Sequence, residues 1–142
     1  MKTQIHTGGK KTLHVLNDLI RINMDRIAGF EKAAHEDRTP EPALRDAFYR
    51  MAIESRSYVN DLHARVIRLG GAPVTQATIT GKIYLHWLEG NQDGEATEKA
   101  YHQALDEQLP NELHELIENQ LWALERAHHR MQELWRDRST HA

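Results

Sequence analysis

The chain has 142 residues, enough for one domain with one buried core, and no cysteine, so disulfides, thiolate metal sites and cysteine nucleophiles are excluded. Eighteen Lys and Arg stand against 21 Asp and Glu for a net charge of −3, interspersed along the sequence. No basic face suits a nucleic-acid backbone and no run approaches the ~20 apolar residues of a membrane span, so the expectation is a soluble, cytoplasmic protein.

Residues 1–11, with Gly8-Gly9 and two lysines, read as a flexible arm without the apolar stretch of a secretory signal. Thr12 then reads as an N-cap, and Leu13, Leu16, Ile20, Met24, Ile27, Phe30 and Ala34 recur at three and four, one face of a first helix ending near Glu36. Thr39-Pro40-Glu41-Pro42 predicts the entry to a second helix, because proline is tolerated where first-turn amides lack intrahelical partners. Its inward face is Leu44, Phe48, Met51, Ser55, Tyr58, Leu62, Val66 and Leu69. Gly70-Gly71 supplies a left-handed C-cap, and Pro73 blocks continuation.

The third rod is interrupted. Apolar segments at Thr78–Glu89 and Glu95–Leu109 are split by Gly90-Asn-Gln-Asp-Gly94. At ~1.5 Å per residue the second segment spans only ~22 Å, against ~37–40 Å for the other rods. The first segment, with Ile79, Ile83, Tyr84, Trp87 and Leu88, either stacks end to end with it or lies across the open end of the bundle. A last helix runs from Pro110 with Leu113, Ile117, Gln120, Leu124, His128, Met131 and Trp135 inward, and frays after Asp137. The fold expected is all-α: an up-down-up-down four-helix bundle with a broken or shortened third helix over residues 12–138, and a frayed end at 139–142.

The order of Leu16-Asn-Asp-Leu-Ile20, Asp25, Gly29-Phe30, Ala33-Ala34, Phe48, Arg56, Leu62, Leu69-Gly-Gly71, Pro73, His86-Trp87, Ala100-Tyr101, Ala104-Leu105, Leu109-Pro110, Gln120 and His128 resembles a bacterial family of ferritin-like four-helix bundles, domain of unknown function 2383. Between Gly71 and Tyr101 this chain is shorter than that family. The resemblance implies a ferritin-like bundle and no assigned activity.

A ferritin-like di-iron centre takes a glutamate from each of two helices and Glu-x-x-His from each of the other two, a spacing that aims carboxylate and imidazole at a shared metal pair. Glu125-Arg-Ala-His128 fits. The second helix offers only Asn60-Asp-Leu-His63, and Glu54 is followed three residues on by Ser57. Glu31, Glu54 and Glu98 are the glutamates that could complete a shell of iron, manganese or zinc around Glu125 and His128. The opposing reading makes Glu125 a surface charge and expects no cofactor. No two of the ten histidines are four residues apart, and the pairs Glu31/His35, Glu98/His102 and Glu125/His129 fit weak contacts within one helix. No serine sits in a nucleophile elbow and no glycine loop could cradle phosphate, so catalytic residues are not assigned.

Asn23, Ser55, Tyr58, Tyr101 and Gln120 fall on inward faces, which predicts a hydrogen-bonded layer near mid-bundle. A second apolar stripe runs along helix one (Val15, Leu19, Ile22, Gly29, Ala33, interrupted by Arg26) and along helix two (Tyr49, Ile53, Ala64, Ile67, interrupted by Arg56 and Asn60), while Trp122 points outward on the last helix. Such stripes imply a second neighbour, either the Thr78–Glu89 segment or a homodimer through helices one and two. Three functional readings follow: a non-enzymatic bundle that is stress-related or partner-binding, a di-iron-type metal protein, or a homodimeric scaffold that binds another protein.

Overall fold

The computed structural model describes residues 7–35, 41–75 and 95–140, with side chains described over 9–35, 41–75 and 97–137. The expected Thr78–Glu89 segment and its Gly90–Gly94 turn lie outside those residues. The described chain is all-helical: α1 (Thr7–His35), α2 (Pro42–Arg68), α3 (Glu95–Leu105) and α4 (Asn111–Thr140), with no strand among the described residues. None of these helices is long and apolar enough to cross a membrane.

Helix α1 starts five residues ahead of the expected Thr12 cap, and Thr12 is buried instead. Helix α2 opens on Pro42 after Glu41, whose carbonyl accepts from the Arg45 amide at 3.0 Å. It closes as its glycines require. Gly70 takes φ +83°, the Gly70 amide donates to the Ile67 carbonyl, and the Gly71 amide reaches back to the Val66 carbonyl. The chain beyond is tied to α1: the Val74 amide donates to Asn17 Oδ1 at 3.0 Å, and Asn17 Nδ2 donates to the Ala72 carbonyl at 3.3 Å. Helix α3 ends at Leu105, four residues short of the expected Leu109. Amides of Asp106 and Glu107 fold back onto the last carbonyls as a turn.

Each helix packs against two others: α1 on α2 and α3, and α4 on α2 and α3. The inward residues expected of α2 and α4 are all buried apart from Leu69, which is half-buried, and each fully buried Leu, Ile or Phe contributes roughly 1.5–3 kcal/mol. They form two apolar clusters. The first joins Val15, Leu16, Leu19 and Ile20 to Tyr58, Val59, Leu62, Val66, Tyr101, Ala104, Leu113, Ile117, Leu121 and Leu124. The second joins Phe30, Ala33 and Ala34 to Leu44, Phe48, Met51, Ala52, Ala127, Met131 and Trp135.

One expectation about α1 is corrected. Val15, Leu19 and Ala33, read as a second stripe facing the Thr78–Glu89 segment or a second copy, are 8%, 1% and 0% exposed within the chain itself. Leu16, Ile20, Phe30 and Ala34 join Val15, Leu19, Gly29 and Ala33 in one buried arc, with Leu13, Ile22, Met24 and Ile27 half-buried, because α1 packs between α2 and α3 and needs apolar cover toward both.

Candidate functional site

Between the two clusters, near the first residues of α3, lies a layer of buried polar side chains. Asn23 on α1 donates through Nδ2 to the Leu19 carbonyl and to Tyr101 Oη, both at 2.8 Å. The Tyr101 hydroxyl donates in turn to Gln120 Oε1 at 2.7 Å, and Gln120 Nε2 reaches the Tyr58 carbonyl at 3.4 Å. Asn23 and Tyr101 are 0% exposed, and burial pushes the Tyr101 phenol above its ordinary range, so it stays a neutral donor. This chain joins α1, α3, α4 and α2 in one network, as the inward polar residues predicted.

A second chain centres on Arg26, which the sequence analysis read as an interruption of the second apolar stripe. It is 1% exposed. Its Nε donates to Ser55 Oγ at 3.2 Å, its Nη1 donates to His128 Nε2 at 2.9 Å, and its guanidinium carbon lies 5.0 Å from the centre of the Phe30 ring. Leu19, Asn23, Arg26, Phe30 and Ala33 are spaced at three and four, so Arg26 sits in the middle of the buried arc. That spacing was the signal available in the sequence; the charge of the residue concealed it.

The far side of the His128 ring completes the chain, with Nδ1 2.6 Å from a Glu98 carboxylate oxygen. A guanidinium can only donate, so Nε2 must accept. The single proton of a neutral imidazole therefore sits on Nδ1 and is donated to Glu98. Electrostatics agree: burial, then the Arg26 cation, push His128 down to about 3. Burial also lowers Arg26 to about 10. Nearby tyrosines and then Glu54 and Glu98 act in the opposite sense, and it remains a cation. Burial and the Glu54 charge lift Tyr58 to about 12.

Of the five candidate metal ligands, the fold brings Glu98 and His128 together and holds Glu54 within electrostatic reach of Arg26. The other two face elsewhere. Glu31 forms an ion pair with Arg56 of α2, and Glu125, on the exposed side of α4, pairs with His102 of α3 at 3.6 Å. Where the sequence suggested Glu98/His102 and Glu125/His129 within one helix, the contacts run between helices, Glu98 to His128 and His102 to Glu125. Among the described residues no three His, Cys, Asp or Glu side chains gather as a metal site requires. Both ring nitrogens of His128 are engaged within the protein, Nε2 by Arg26 and Nδ1 by Glu98.

What this arrangement can do chemically is hold one positive charge in the interior. Two carboxylates favour the cation, a neutral imidazole and a hydroxyl accept from it, and an aromatic face lies against it.

No curated protein matches this sequence. A family model does, over residues 11–107, which takes in most of α1, all of α2 and α3, and with them Asn23, Arg26, Ser55, Glu98 and Tyr101; Gln120 and His128 lie beyond the match. With some two thirds of its length matched, the chain belongs to the family described as Domain of unknown function (DUF2383).

Proposed function

We propose that this protein is a non-enzymatic bundle of ferritin-like, up-down-up-down topology, in which the Arg26 guanidinium takes the central position that a metal pair holds in metal-loaded bundles. Its role is structural or partner-binding. One observation carries this reading: Arg26 Nη1 lies 2.9 Å from His128 Nε2, with Glu98 on the opposite ring nitrogen. A metal at that nitrogen would have to displace a cation already held by two acceptors and a ring face, and two positive centres there would repel.

Elemental analysis of protein purified without an affinity tag tests the proposal. Iron, manganese and zinc are expected well below one equivalent per chain, unchanged in Glu98→Ala/His128→Ala. Stoichiometric metal in the native protein, lost in that double variant, overturns it.

A further inference from the structure

We draw no further inference here: the strongest candidate, the groove of about 310 Å³ between α2 and α4 beside the second cluster, lined by Met51 and Met131 and by the charges of Asp46, Arg50, Glu54 and Arg130, carries nothing because those charges balance in sign and nothing in the structure shows what covers it.

Discussion

The two apolar clusters either side of the polar layer are built from different materials. The first is mainly aliphatic: leucine, isoleucine and valine from α1, α2 and α4, with Tyr58 of α2 among them, closed by Tyr101 and Ala104 of α3. The second combines Phe30, Phe48 and Trp135 with Met51 and Met131, set among Ala33, Ala34, Ala52 and Ala127. Phe30 and Phe48 stack there with centroids 5.8 Å apart. Branched aliphatics interdigitate where four described helices meet. Where three described helices contribute, broad rings and extended methionines span the interior, and alanines let the backbones approach. The same fold thus fills its interior in two ways, and the two should fail differently when a side chain is cut away.

The largest effect expected is in the aromatic half. Phe48→Ala should cost about 3–5 kcal/mol, more than Leu62→Ala at about 3 kcal/mol, because a stacked ring is lost and its space is less easily refilled. Urea denaturation of both variants checks the order, and equal losses would break the contrast between the clusters. Next comes the layer that separates them. Arg26→Ala should cost about 3 kcal/mol by leaving Ser55 and His128 without their donor, and adding His128→Leu should cost much less than a further independent loss. Additive losses would show that the two residues do not act as one unit.

Acid should act on the layer and spare the clusters. The folded protein holds His128 at about 3 against about 6.5 when unfolded, so below pH 6.5 the unfolded chain binds the extra proton. Stability that is full above the unfolded value is therefore lost as pH falls, by about 2 kcal/mol between pH 7 and pH 5. Denaturation midpoints in His128→Gln should be flatter over that interval, and identical slopes in the two proteins would contradict the assignment. The smallest effect is at the α2 terminus. Gly70→Ala has open space around it but must adopt φ +83°, and should cost about 1 kcal/mol in a thermal melt.

How much of this could be read beforehand depended on whether periodicity and chemistry agreed. Helices α2 and α4 were legible because their buried residues are apolar or small and polar at regular spacing, with proline and glycine marking the ends of α2. The uncharged members of the layer, Asn23, Ser55, Tyr58, Tyr101 and Gln120, were legible for the same reason. Arg26 was not. A charged side chain on a helix is ordinarily read as a solvent residue, and its burial becomes intelligible only once Ser55, His128 and Phe30, from elsewhere in the fold, are seen around it. The pairing of Glu98 with His128 was hidden by sequence distance, since Glu98 has a nearer histidine at His102 that turns instead to Glu125.

The brevity of α3 has a kinetic corollary. Eleven residues are too few for a helix to persist alone in water, so α3 exists by virtue of what it docks onto, chiefly through Thr97, Tyr101 and Ala104. It is accordingly expected to open before the three long helices in local fluctuations, and such an opening would uncouple Tyr101 from Asn23 and Gln120 and remove Glu98 from His128. Solvent would then reach the interior charge without any of the three long helices unfolding, and amide exchange along α3 would report how often that happens.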